Sequence, residues 1–145
     1  MASKYGVDTL ITRLMLEISL MLAEVGRFDE AISVARAVKS FRDEIPHPGI
    51  CLGVVHLFKG DSHEGVRQMQ ATLRDFPEHP LVLAMLGTAL RETHSPEWRA
   101  ILHQVLHSGT KDRWAVNLAN AVLDMSDPGP GEEVVSFRHM RKRLN

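Results

Sequence analysis

The sequence predicts an all-α fold of about three helical hairpins that repeat at a fixed period, closed by one further helix. Two pairs of glycines predict the repeat, because Gly60 follows Gly26 at the same spacing at which Gly87 follows Gly53. Between these points apolar residues recur every three or four positions, which is the pattern of amphipathic helices. Residue types suited to turns and to close helix packing therefore return at one fixed period.

The clearest hairpin covers residues 49–77. Its first helix is expected to end at Gly60, because glycine readily adopts the left-handed conformation that reverses the chain. Asp61 and Glu64 stand at the capping-box spacing, which predicts the start of a second helix. Gly53 on the first helix and Gly65 on the second lack side chains, so we expect the two backbones to approach closely there.

These residue types and their spacing match the tetratricopeptide (TPR) pattern, whose period is about 34 residues. In the central unit the matching positions are Leu52-Gly53, Gly60, Gly65 and Pro77. In the preceding unit they are Ile18-Ser19, Gly26, Phe28 and Ala31. The following unit keeps Leu86-Gly87, but His94-Ser95-Pro96 replaces the turn glycine. The third repeat is therefore expected to be eroded.

Taken in order, helices are predicted over about residues 8–24, 28–42, 49–59, 61–73, 80–92, 96–106 and 111–125, with residues 1–6 frayed. Ser95 is expected to cap the sixth helix. The seventh is expected to cap the open end of the stack with one apolar face, formed by Trp114, Leu118, Val122 and Met125.

The chain divides into a helical domain, residues 1–126, and a Pro/Gly linker with a basic tail, residues 127–145. The tail is either solvated or a short docking helix with an apolar seam of Val134, Phe137, Met140 and Leu144. A basic cluster this small is weak support for nucleic-acid binding.

The composition is that of an ordinary globular protein. A formal net charge of −1 over 145 residues gives no indication of nucleic-acid or anionic-membrane binding. The sequence contains neither a signal-peptide pattern nor an apolar run long enough to span a bilayer. The single cysteine, Cys51, excludes an internal disulfide, and we expect a protein kept in the reducing cytoplasm.

The residue types that form catalytic and metal sites in other proteins are not arranged as such a site in this sequence. His103 and His107 lie one helical turn apart, but no nearby Asp, Glu or Cys completes a metal-ligand set. Cys51 lies in an apolar helix without a suitably placed His or Asp, which favours a buried structural thiol over a nucleophile. Phosphate-loop, nucleophile-elbow and zinc-protease motifs do not occur. We therefore expect no enzyme activity, no metal site and no cofactor.

A partner-binding groove is the remaining functional prediction. In a repeat stack of this kind the first helix of each hairpin lines the concave face, where a ligand is bound. The repeat register assigns ten positions to that face: Leu16, Leu20, Ala23, Ile50, Val54, Leu57, Phe58, Leu81, Ala84 and Thr88. Nearly all are apolar, which favours the apolar face of an amphipathic helix over a charged peptide terminus as the ligand. The alternative for any one of them is packing between repeats.

Together these features resemble the bacterial type III secretion chaperones, and in particular the YscG-like TPR-fold group that holds the needle subunit. Residues 95–100 and 104–109 also resemble the third hairpin of a related plant-pathogen secretion family, in which a Trp after Pro and a Val-Leu-x-Ser-Gly ending recur. The resemblance covers about residues 8–125. It implies a cytoplasmic protein that holds the amphipathic C-terminal helix of a needle subunit, with a small helical co-chaperone completing the complex. The basic tail is not part of that family pattern.

Two hypotheses remain open. One is an export chaperone that sequesters a polymerising needle subunit or a translocator subunit and self-associates through its groove when the client is absent. The other is a TPR scaffold or adaptor within the secretion apparatus or another complex, which would be a stable monomer and bind surfaces that are already folded.

Overall fold

The computed structural model describes the backbone of residues 2–125 and the side chains of residues 9–125. Across this part of the chain the structure is all-helical, which confirms the predicted fold class. The helices are α1 (Ala2–Glu24), α2 (Phe28–Phe41), α3 (His47–Lys59), α4 (Ser62–Asp75), α5 (Pro80–Glu92), α6 (Trp98–His107) and α7 (Arg113–Leu123). The predicted linker and basic tail, with its candidate docking helix, lie outside the described residues.

The turns that close the three hairpins share one backbone geometry. Gly26, Gly60 and His94, which follow one another at the repeat period, have positive φ angles of 83°, 89° and 60°. In each turn the following N–H donates to the carbonyl five positions back; these bonds join Arg27 to Leu22 (2.8 Å), Asp61 to His56 (2.9 Å) and Ser95 to Leu90 (3.0 Å). The predicted repeat is therefore present in the backbone, even in the third hairpin, where His94 takes the glycine's place at a steric cost.

The central hairpin packs as closely as its glycines predict. A methyl group on Gly65 would lie 3.2 Å from the Gly53 carbonyl oxygen, and one on Gly53 would lie 2.4 Å from the Met69 methyl carbon. The start of α4 also matches the prediction, because the Asp61 carboxylate accepts a hydrogen bond from the Glu64 N–H at 3.3 Å. The two helices are thus held in contact along their length.

Helix α3 forms the centre of the core. Its side chains are buried from Pro48 through Phe58, and it packs against α1, α2, α4 and α5. Consecutive helices contact one another along the chain, and α1 also contacts α3, as α5 contacts α7. This arrangement places the first helices of the hairpins side by side, as in a repeat stack.

Some predicted boundaries and faces differ from the structure. Helix α1 begins at Ala2 rather than near residue 8, and α6 begins at Trp98, with Glu97 rather than Ser95 at its N-cap. The predicted apolar face of α7 was wrong in one residue, because Trp114 is exposed. The buried face of α7 consists of Ala115, Leu118, Ala119 and Val122. It is centred about a quarter turn from Trp114, since successive helical residues advance by about 100°.

Candidate partner-binding groove

An apolar cavity of about 610 Å³ opens between α1 and α3. We call it the apolar groove. Its α1 wall consists of Thr9, Thr12, Arg13, Leu16, Glu17 and Leu20; its α3 wall consists of His47, Ile50, Cys51 and Val54; Arg42 and Ile45 close one end. Leu16 and Leu20 are half-buried, whereas Ile50 and Val54 are nearly buried. The volume lies within the range of ligand-binding pockets.

A short chain of polar contacts fixes the separation of the two walls. The Ser19 hydroxyl donates to the Ala31 carbonyl oxygen at 2.7 Å and lies 3.5 Å from the Cys51 sulfur. These contacts join α1 to α2 and to α3. Burial raises the pKa of the Cys51 thiol to about 11, while the Ser19 hydroxyl lowers it to a smaller extent. The thiol is therefore protonated at neutral pH, which fits the structural role predicted for it.

Charged side chains lie at the edges of the groove rather than on its floor. Arg42 donates to the Thr12 hydroxyl at 3.0 Å and pairs with Glu44 at 2.5 Å, so the end of α2 is tied to α1. The pKa of Glu44 is lowered by a backbone hydrogen bond and by Arg42. Arg13 and Glu17 pair along α1 at 3.2 Å. The Arg13–Glu17 pair is exposed and therefore contributes little stability. Together the two pairs leave charges of both signs beside an apolar floor.

The structure brings together four of the ten residues predicted for the groove: Leu16, Leu20, Ile50 and Val54. The other six do not line this cavity. Ala23, Leu57, Phe58, Ala84 and Thr88 are buried, and Leu81 is half-buried. Leu57, for example, points at α4, where it would lie 3.0 Å from a methyl group on Gly65. Whether any of the ten binds a partner stays a prediction.

Sequence reasoning missed the residues that close the groove. Arg42 and Ile45 belong to the connection between α2 and α3, whereas the register considered only the first helix of each hairpin. A signal was present in two buried prolines, Pro46 in this connection and Pro48 in the first turn of α3. Proline restricts its own backbone and that of the preceding residue, so this junction has a fixed shape.

Histidine, cysteine and acidic side chains gather into no metal-binding group of three or more anywhere in the described residues. The rings of His103 and His107 stack with their centroids 6.0 Å apart on the exposed side of α6. Among the helices described, none has the length and apolarity needed to cross a membrane.

Comparison with known proteins identifies a family for nearly the whole chain. The family model described as "Bacterial type III secretion protein (HrpB1_HrpK)" matches residues 3–128. The chain belongs to this family. The match spans every helix from α2 to α7 and nearly all of α1, so the groove lies inside the region that defines the HrpB1_HrpK proteins. No curated protein and no solved structure matches the chain.

Proposed function

We propose that this type III secretion protein is a chaperone that binds, in its apolar groove, an amphipathic helix of a needle subunit or of another polymerising or translocator subunit. Bound in this way, the subunit would be kept from assembling in the bacterial cytoplasm before export. The observation that carries the proposal is the groove itself, an open cavity with an aliphatic floor and charged edges, in a member of a secretion family.

The shape and chemistry of the groove suit a helix better than an extended peptide. Leu16 and Leu20 lie one turn apart on α1, and Ile50 and Val54 lie one turn apart on α3, so the floor presents two parallel apolar rows. An amphipathic helix offers matching anchors at positions i, i+3, i+4 and i+7. Three or four buried anchors contribute roughly 5–12 kcal/mol before the costs of association, which are of similar size.

An adaptor role within the secretion apparatus is the alternative. It is favoured by a second, more open depression of about 740 Å³ beside α4, α5 and α6, whose walls include Leu73, Leu83 and Ile101. An adaptor would use such a surface to bind folded apparatus components. A small co-chaperone, as the resemblance implies, could be a partner under either reading.

The test is a titration of the purified full-length chain with the fluorescently labelled C-terminal helix of the needle subunit from the same secretion system. Leu20→Asp places a charge on the groove floor at a half-buried position, and we expect it to weaken binding at least tenfold. Phe41→Asp is the matched control, because it makes the same change at an exposed apolar residue outside the groove.

A second readout follows polymerisation of the intact needle subunit by light scattering. The wild-type chain should delay polymerisation at near one-to-one ratio, and Leu20→Asp should not. Equal binding by wild type and a folded Leu20→Asp variant would remove the groove from the mechanism. A pull-down with the tagged chain from the native bacterium would favour the adaptor if it recovered large apparatus components and no small subunit. Cell fractionation would test the cytoplasmic location.

A further inference from the structure

Helix α1 carries a second apolar surface, separate from the groove. Six large side chains on its outward side are exposed: Leu10, Ile11, Leu14, Ile18 and Met21 in the helix, and Val25 directly after its end. We call this surface the α1 outer face. Along α1 these residues follow one another at helical spacing, so they form a continuous stripe. Contiguous exposed apolar stripes of this kind usually mark an interaction surface.

The repeat register allows the exposure of this stripe to be compared with that of the equivalent residues in α3 and α5. Ile18 is 49% exposed, whereas the residues at the same register position in α3 and α5, Leu52 and Leu86, are 3% and 5% exposed. The same holds one turn away, where Met21 is 61% exposed and its counterparts Val55 and Ala89 are fully buried. Both α3 and α5 pack against helices of the preceding hairpin. In α1 the residues at the same register positions, Ile18 and Met21, are exposed to solvent.

We propose that a second copy of this chain covers the α1 outer face, through antiparallel packing of the two α1 helices about a two-fold axis. The stripe suits such pairing because its spacing is nearly the same from either end. In an antiparallel pair, Leu14 of one copy lies opposite Met21 of the other, Leu10 lies opposite Val25, and the two Ile18 side chains meet near the axis. A two-fold interface must be self-complementary in this way.

The opposite end of the molecule makes a closed dimer preferable to a head-to-tail chain of copies. A head-to-tail contact would set α7 of one copy on the α1 outer face of the next. The outward side chains of α7 are mostly polar, because Arg113, Asn117 and Asn120 are exposed beside one exposed apolar residue, Trp114. Pressing them against an apolar stripe would desolvate polar groups without giving them partners. Pairing of α1 with α1 buries apolar surface on both sides.

The dimer interface and the groove use different sides of α1. The groove takes Leu16 and Leu20, the interface takes Leu14, Ile18 and Met21, and the paired Arg13 and Glu17 lie between the two surfaces. Dimer formation thus goes beyond the proposed function and does not depend on it. Each surface can be disrupted while the other is kept.

The first experiment measures the mass of the full-length chain by sedimentation velocity from about 1 to 100 µM, a range that spans the affinities expected of a modest interface. We expect the wild-type chain to shift from monomer to dimer across this range. Ile18→Asp should remain monomeric throughout, a loss of at least tenfold in dimer affinity. Phe41→Asp, an equally exposed apolar residue on α2, should dimerise like wild type. Circular dichroism checks that each variant folds, and Met21→Asp is the second variant should Ile18→Asp not fold.

Disulfide trapping tests the antiparallel orientation. Leu14→Cys and Met21→Cys variants, mixed and oxidised, should cross-link to each other more readily than either does to itself. The native Cys51 is buried and keeps its proton at neutral pH, so it should not interfere. Preferential cross-linking of each variant to itself would indicate parallel helices and overturn the proposed arrangement.

Three results would overturn the dimer. The first is a wild-type chain that stays monomeric at all concentrations, which is expected if the chain's own residues 132–145 cover the face. Dimerisation by a folded Ile18→Asp variant is another, and an open series of larger oligomers is the third. Helix binding gives the independent check: Ile18→Asp should bind the needle-subunit helix like wild type, whereas Leu20→Asp should dimerise but bind it poorly. Failure of one proposal is thereby distinguished from failure of the other.

Discussion

The two ends of the helical stack differ in what they present to solvent. At the C-terminal end α7 packs on α5 and α6 and buries Leu118 and Val122, while Arg113, Asn117 and one large apolar residue, Trp114, are exposed. At the N-terminal end α1 keeps an apolar stripe exposed, with Ile18 and Met21 near its centre. Repeat stacks need terminal units with a polar outer side to remain soluble as monomers. The outer side of α7, with one exposed apolar residue among polar ones, comes closer to that requirement than the outer side of α1 does.

The difference shows that burial at a repeat position depends on the neighbour as well as on the residue. Ile18, Leu52 and Leu86 occupy one register position, and of these three only Ile18 is exposed. A repeat pattern read from sequence gives each position its expected role. It does not show which faces a neighbouring helix covers, and on an uncovered face the same residue type stays in solvent.

The largest expected effect tests this register position directly. Leu52→Ala and Leu86→Ala should each lower the free energy of unfolding by about 2–5 kcal/mol, because both remove buried side-chain volume. Ile18→Ala should cost less than about 1 kcal/mol at low protein concentration, because half of its side chain is already in solvent. Urea unfolding of the three variants, followed by circular dichroism, measures the comparison.

Protein concentration adds a control to that experiment. If α1 pairs with a second copy, the cost of Ile18→Ala should grow as concentration rises, since association stabilises only the folded wild type. The costs of Leu52→Ala and Leu86→Ala should change little. Equal losses at all three positions in dilute solution would contradict the comparison, because they would mean that the monomer itself covers Ile18.

A smaller effect is expected one residue further along α1. Ser19 is fully buried, and its hydroxyl donates to the Ala31 carbonyl oxygen. Ser19→Ala removes that bond and should lower the free energy of unfolding by about 1–2 kcal/mol. Ser33→Ala, at an exposed position on α2, is the control and should change it by less than about 0.5 kcal/mol.

The contrast between Ser19 and its neighbour sharpens the assignment of faces on α1. Ser19 faces α2 and α3, whereas Ile18 faces solvent. A loss at position 19 without a comparable loss at position 18 would confirm that α1 is anchored on one side only. A negligible effect of Ser19→Ala would mean that apolar packing alone sets the spacing between α1 and α3.

Much of the fold could be predicted because its local signals agree with its packing. The turn at Gly60, the cap at Asp61 and the close approach of Gly53 and Gly65 each follow from one residue's own chemistry. His94 shows the limit, because nothing local predicts a left-handed histidine. There the surrounding helices impose the turn, and the backbone repeat survives the loss of its glycine.

The groove was predicted less completely, for a reason that lies in α1 and α3. Both helices are apolar around most of their circumference, so periodicity alone does not separate the core side from the groove side. Leu16 and Leu20 reach the groove, but Ala23 on the same helix is buried. The sides are distinguished only by which neighbours are present, and neighbours follow from tertiary packing.

The smallest expected effect comes from a buried histidine in the middle of the stack. His56 is nearly buried in α3, and among the described residues neither of its ring nitrogens has a hydrogen-bond partner. Its pKa is lowered, chiefly because burial disfavours the charged imidazolium. Glu64 and Asp61 partly oppose that shift, while Lys59 and Arg36 add to it.

A lowered pKa makes stability depend on pH in a defined direction. Above about pH 6.5, the ordinary histidine pKa, His56 is neutral in both the folded and the unfolded chain. As the pH falls below that value the unfolded chain takes up a proton that folded His56 resists, so stability decreases until the folded histidine is protonated too. Between pH 7 and pH 5.5 we expect His56 to account for a loss of up to about 1 kcal/mol.

Replacing the histidine by the residue of its neighbouring repeats isolates this contribution. The first and third repeats carry Leu22 and Leu90 at this register position, so His56→Leu is the natural test. In urea unfolding at both pH values, His56→Leu should be at least as stable as wild type and should lose less stability on acidification, because it buries no unpaired polar group. An unchanged pH dependence in His56→Leu would assign the acid sensitivity to other titrating groups. A large loss of stability at pH 7 would show instead that the imidazole fits its site in the middle repeat better than the leucine of the two outer ones.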